Sequence, residues 1–134
     1  MPKSLADTIR SANQVVLVEG SLPALADFFA EEFVAHGTEA ELKGLSGVRR
    51  FVDSLLRAFS ERRVEVEILI ESADRVAWQR TVRAVHSGSF AGFPATGRPV
   101  VWRDMIVSRF EGGKIAEDWV VTDLAERLLR AKKT

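Results

Sequence analysis

The sequence predicts an α+β fold in which helices from the first half pack on one face of a curved, mostly antiparallel sheet supplied by the second half. Three observations carry this. Apolar residues recur every three or four positions to about residue 60, from Val64 the period falls to two, and short turns separate the period-two stretches so that strands return on themselves. At 134 residues the chain matches one domain, residues 1–134, with a core over about 5–130 and a frayed end over 131–134.

Leu5, Ile9, Ala12 and Val16 step at helical spacing behind Ser4, with Asp7 as its acidic first-turn partner, and Gly20 ends the segment. In "SLPALADFF", Ser21 is the expected N-cap and Pro23 falls in the first turn, where its missing N–H costs little. "EEFVAHG" then leaves the helix, with Phe33 and Ala35 opposed to Val34 and His36. The third helix lies in "LKGLSGVRRFVDSLLRAFSE", capped by Ser46, with a broad stripe of Val48, Phe51, Val52, Leu55, Leu56 and Phe59. Four strands follow. "RRVEVEILIES" puts Val64, Val66, Ile68 and Ile70 on one face; "VAWQRTVRAVHS" does the same with Val76, Trp78, Arg80, Val82, Ala84 and His86. "RPVVWRDMIVSRF" is a long strand, and "EGGK" turns it back into "KIAEDWVVTD". "LAERLLRA" closes the chain as a short helix.

Lysine plus arginine equal aspartate plus glutamate at 19 each, so no net field marks a nucleic-acid or anionic-membrane binder, and Arg49-Arg50 and Arg62-Arg63 read as solvated faces. The absence of cysteine removes disulfides, thiolate nucleophiles and thiolate metal sites. His36 and His86 lie outside any metal-binding motif, and no metal is expected. The opening "MPKSLADTIRSANQ" has no apolar signal core and no run reaches membrane-spanning length, which makes the cytosol the expected compartment.

Candidate chemistry gathers on the strands. Continued alternation points Trp119, Val121 and Asp123 the same way, setting a carboxylate at the mouth of a cavity where burial would raise its pKa into the range of general acid–base work. Asp123 with Glu126 three residues on equally fits a capping box for the last helix. Asp104 interrupts an apolar strand beside Trp102 and Ile106 and must be solvated, paired or functional. Arg80 shares a face with Trp78 and Val82, so either it enters the cavity, needing an anionic partner, or Gln79 and Thr81 do. His36 and His86 can exchange protons near neutral pH, His86 from a strand end beside a small-residue loop. Trp78, Trp102 and Trp119 suit either a planar ligand or a core, and Phe90 and Phe93, in "SFAGFPATGR", suit a lid or a plug.

"HSGSFAGFPATGRPV" followed by "GKIAEDWVVTD" resembles the SnoaL-like polyketide cyclases, whose pattern runs histidine, glycine-containing loop, Pro-x-Thr-Gly-Arg, Gly-Lys-Ile and Trp-x-x-x-Asp. The likeness extends from about Asn13 to Leu129 and includes "FFAEEFVAHG" and "GLSGVRRFV". It implies a cone-shaped, cystatin-like α+β barrel related to ketosteroid isomerase and limonene-epoxide hydrolase, with a mixed or mostly antiparallel sheet and homodimers formed through that sheet. It also implies ring closure by intramolecular aldol condensation without cofactor, with the family's aspartate at Asp123 and its paired histidines at His36 and His86. Where many members carry an arginine and a carboxylate this chain has Gln79 and Ile106, with Arg80 and Asp104 one or two positions away.

The leading reading is a cofactor-free pocket enzyme acting on an apolar, carbonyl-bearing small molecule. Asp123 serves as base and then acid, His36, His86 or Arg80 steadies oxygen charge, and Trp78, Trp102, Trp119, Phe90 and Phe93 hold the substrate. The alternatives are a non-catalytic binding protein and an epoxide-hydrolase-like enzyme using Asp104, Arg80 and Asp123 around a water.

Overall fold

The computed structural model of the chain describes residues 4–37 and 40–132. Ser4 opens α1 (Leu5–Ala12) as predicted: its hydroxyl accepts the Asp7 N–H at 3.1 Å and Asp7 accepts the Ser4 N–H in return. The segment continues as a π-helix, Asn13–Val18, and Gly20, at φ 76°, ends it in the left-handed conformation that glycine tolerates. The second predicted helix is much shorter than its sequence pattern. Neither Ser21 nor Pro23 lies in it; α2 spans Leu25–Phe28 and Phe29 is already extended. The reason is tertiary, because β1 (Phe29–His36) is taken up by the sheet, with Phe33 and Ala35 buried as their alternation requires.

β2 (Glu41–Lys43) leads directly into α3 (Gly44–Ala58), which starts before Ser46 and carries no side-chain cap. The helix passes straight into β3 (Phe59–Glu71), followed by β4 (Arg75–His86), β5 (Pro99–Glu111), β6 (Lys114–Thr122) and α4 (Leu124–Lys132). α4 reaches Lys132, and residues 133–134 lie outside the described residues.

The six strands form one mixed sheet in the order β2-β1-β6-β5-β4-β3, in which the β1–β6 pairing is parallel and every other pairing antiparallel. The predicted four-strand meander is its larger part, and β1 and β2 extend it. Bulges bend and twist strands, and two of them decide which side chains face inward. Between Phe110↔Ile115 and Arg109↔Glu117, β6 carries the extra residue Ala116. Between Ser60↔Val85 and Arg63↔Arg83, β3 carries one more residue than β4, and Glu61 takes φ 51° there. The helices cover the concave face, giving a cone with two apolar clusters. One runs from Ile9 and Phe33 to Trp78 and Ile106, the other from Phe59 and Trp102 to Leu124 and Leu128.

Candidate active site

Between the helices and the concave face lies a cavity of about 180 Å³, enough for at least one aromatic ring, since an apolar cavity of roughly 150 Å³ holds benzene. Its walls are mostly apolar, from Ile9, Val16, Leu25, Phe33, Val52, Phe59 and their neighbours. The polar or charged side chains among them come from Asn13, Arg62, Arg80, Asp104, Asp118 and Thr122, with the indoles of Trp78 and Trp102.

Asp118 is the group this arrangement singles out. Its backbone stands opposite Ser108 on β5, whose side chain is fully buried. The Trp78 Nε1–H donates to Ser108 Oγ at 3.0 Å, and the Ser108 hydroxyl donates to Asp118 Oδ1 at 2.6 Å, fixing the carboxyl in orientation. The described residues give Oδ2 no hydrogen bond, and Asp118 is part of the cavity wall. Burial pushes the carboxyl up to about 6, against the opposing effects of the Ser108 hydrogen bond and the Arg80 charge. Asp118 as a residue is half-buried and belongs to the cavity wall.

Arg80 enters the cavity, resolving the alternation on β4. Its Nε donates to Asp104 Oδ2 at 2.8 Å, a second nitrogen donates to Asn13 Oδ1 at 3.0 Å, and its guanidinium lies 5.3 Å from the Trp78 ring centre. Asn13 is held for this by its own amide, which donates to Ile9 O at 2.8 Å on the turn where the α-helix becomes a π-helix. Asp104, 4% exposed, is therefore paired, one of the three states the sequence left open for it.

Asp123 is elsewhere. The extra residue at Ala116 reverses the alternation, so Asp118, Val120 and Thr122 line the cavity while Trp119 and Val121 are exposed on the outer face. The Asp123 carboxylate accepts the Arg103 N–H at 2.8 Å and pairs with Arg127 at 3.1 Å, outside the cavity wall. It does not close the predicted capping box with Glu126, which pairs with Arg130 instead. A visible signal for the reversal was the pair Ile115-Ala116, both buried, ahead of the acidic pair Glu117-Asp118, which a regular strand with one wet face does not give.

The histidines also leave the cavity. His36 bridges Glu117 and Glu41 at 2.6 Å each and stacks on Trp119 at 5.5 Å, on the outer side of the sheet. The Glu117 hydrogen bond, followed by the Glu41 contacts, raises its pKa despite some desolvation, and the same contact with Arg109 behind it holds Glu117 down. His86 is buried at 1% against Phe59, 5.1 Å away, and neither ring nitrogen finds a partner.

Of the predicted aromatics, Trp78 and Trp102 line the cavity and Trp119 does not. Phe90 and Phe93 pair through two backbone hydrogen bonds across the tight turn Ala91-Gly92 and pack on the second apolar cluster, making the glycine-rich loop a plug there rather than a cavity wall. Arg62, read from the sequence as solvated, lines the cavity. Among the described residues no group of three or more histidine or acidic side chains is arranged to hold a metal ion, and no helix is long and apolar enough to cross a membrane.

Fold and cavity together define a small-molecule pocket protein on an α+β cone. The chain belongs to the SnoaL-like polyketide cyclase family, whose model matches residues 7–130. Among solved structures it is similar to AclR of Streptomyces galilaeus, a proposed hydroxylase, at 28% identity over 98% of this chain and 84% of that one, with a TM-score of 0.79. It is similar at 25% identity, TM-score 0.76, to a SnoaL-like polyketide cyclase from Agrobacterium tumefaciens, covering 96% and 98% of the two chains. A proposed polyketide cyclase from Acidithiobacillus ferrooxidans shares the fold at 22% identity and TM-score 0.82, over 99% and 98%. No curated protein matches the chain.

Proposed function

We propose that this protein catalyses proton transfer on an apolar, carbonyl-bearing small molecule, with Asp118 in the acid–base role that the sequence alone suggested for Asp123. The observation that carries this is a carboxyl in the wall of an apolar cavity, pushed up to about 6 by burial, with Oδ1 held by Ser108 and no hydrogen bond to Oδ2 among the described residues. In the ring-closing version, Asp118 Oδ2 takes a proton from a carbon alpha to one carbonyl, and the carbanion attacks a second carbonyl carbon of the same molecule. A carbon–carbon bond forms, the carbonyl π pair moves onto oxygen, and the resulting alkoxide recovers the proton from Asp118. Arg80 is the cavity cation near enough to bear on Asp118, and it steadies the developing oxygen charge. Family membership supports this chemistry.

The test is deuterium exchange at the alpha carbon of an aromatic 1,3-diketone, followed by mass spectrometry. Catalysed exchange that Asp118→Asn abolishes and Asp123→Asn leaves intact is the expected result; equal rates in wild type and Asp118→Asn reject it, and exchange no faster than in buffer favours a binding protein. A hydrolase reading has its own observation, the Asp104–Arg80 ion pair sharing the cavity with a second carboxylate, Asp118. Turnover of an aryl epoxide without carbon-acid exchange would select it. On the outer face, Leu69, Met105, Trp119 and Val121 are exposed together, and a second copy of the chain covers them in a cytosolic homodimer.

A further inference from the structure

Arg62 has no part in the proton transfer above, yet the backbone around it is arranged to bring it inward. Phe59 faces the interior, so regular alternation would turn residue 62 toward solvent. The bulge between Ser60 and Arg63, with Glu61 at φ 51°, reverses that and sends the Arg62 side chain to the cavity wall. Gly20 makes room for it: a Cβ there would stand 3.2 Å from an Arg62 terminal nitrogen.

Arg62 Nε donates to Leu17 O near the end of the π-helix, and a terminal nitrogen donates to Phe59 O at 2.7 Å. These carbonyls satisfy hydrogen bonds without neutralising the charge; a helix C-terminus carries only about half an elementary charge. Among the described residues no carboxylate lies within 4.0 Å of it, in contrast to Arg80, whose charge is met by Asp104. Burial alone acts on its pKa, downward, as expected of a cation beside apolar walls with no counter-ion.

Its place in the cavity wall is distinct from that of the Arg80–Asp104 pair. Arg62 reaches Leu17 O and Arg80 reaches Asn13 Oδ1, four residues apart on the π-helix, and of the two cations only Arg80 acts on the Asp118 carboxyl. We infer that Arg62 is a specificity residue that binds an anionic head group, a carboxylate, on an aromatic ligand of this cavity, at a point apart from the Asp118 carboxyl. The inference rests on the cavity being the substrate site. It adds that the substrate is an acid, anchored through a charge-assisted, bidentate contact that a neutral analogue does not make.

The experiment compares naphthalene-2-carboxylate with its neutral isostere naphthalene-2-carboxamide by titration calorimetry at pH 7.5, using wild type, Arg62→Met and Arg62→Lys. Wild type is expected to bind the carboxylate about tenfold more tightly than the amide. Arg62→Met should lose that preference while holding the amide within about threefold of wild type, and Arg62→Lys should retain part of it. Equal binding of the two probes by wild type, or a preference that survives in Arg62→Met, overturns the inference and leaves the cavity reading standing. Binding of neither probe overturns both. The wild-type comparison decides the matter even if Arg62→Met fails to fold, and amide binding by each variant reports that its cavity is intact.

Discussion

Asp118 opposes folding at the pH where it would act as a base. Its carboxyl titrates near 6 in the fold against an ordinary 3.8, so the folded chain binds the proton more tightly than the unfolded chain does. Stability is therefore highest below about pH 4 as far as this group is concerned, and it declines as pH rises through about 6, by about 3 kcal/mol in all. Asp118→Asn is expected to raise stability to urea at pH 8 by up to that amount and to gain little at pH 4, which unfolding curves at the two pH values would check. The same titration sets catalysis: the base form grows in above pH 6, so kcat/KM should climb with an apparent pKa near 6. His86 offers a second case of a polar group at a cost. Its two ring nitrogens are buried without partners beside Phe59, and His86→Phe is expected to raise the melting temperature, by roughly 1 kcal/mol or more of stability.

At the scale of elements, two bulges and one glycine contact do most of the positioning. Ala116 in β6 hands the inward face to Asp118, and the β3 bulge hands it to Arg62. Gly88 docks the glycine-rich loop on the end of α3, where the Ser87 and Gly88 N–H groups both donate to Ala58 O. A Cβ at position 88 would meet the Arg57 carbonyl at 2.6 Å, with backbone on both sides of the contact. Gly88→Ala should cost about 1–3 kcal/mol in thermal or urea unfolding, with an unchanged melting temperature as the contrary result. Where β1 meets β6, His36 joins Glu41 to Glu117. Glu117→Gln is expected to lower the His36 pKa measured by proton NMR, because the largest contribution holding the imidazolium charged is the Glu117 hydrogen bond. No change would show that the bridge does not persist in solution.

For the whole molecule, the sheet has one face turned to the cavity and another carrying exposed Leu69, Met105, Trp119 and Val121. Apolar groups gathered in this way favour a partner surface. Val121 is 64% exposed and outside the cavity wall, so Val121→Arg tests the outer face without touching the chemistry. Sedimentation equilibrium should give twice the chain mass for wild type and a single chain mass for the variant; a monomeric wild type would reject the homodimer.

Much of the architecture was legible in the chain. Helical spacing in α1 and α3, the change to period two after Phe59, and the Gly112-Gly113 turn define helices packed on an antiparallel meander, because local periodicity is set by backbone geometry that neighbouring residues share. That Trp78 shares a face with Arg80, and Trp102 with Asp104, followed from the same alternation; which face turns inward was decided by the tertiary structure. What the sequence did not determine was the parity of β6 and the start of β3. A bulge is chosen by pairing with a strand far along the chain, and one extra residue exchanges the two faces. Tertiary structure therefore decided that Asp118 rather than Asp123 meets the cavity, that Arg62 turns inward, and that both histidines stay outside it.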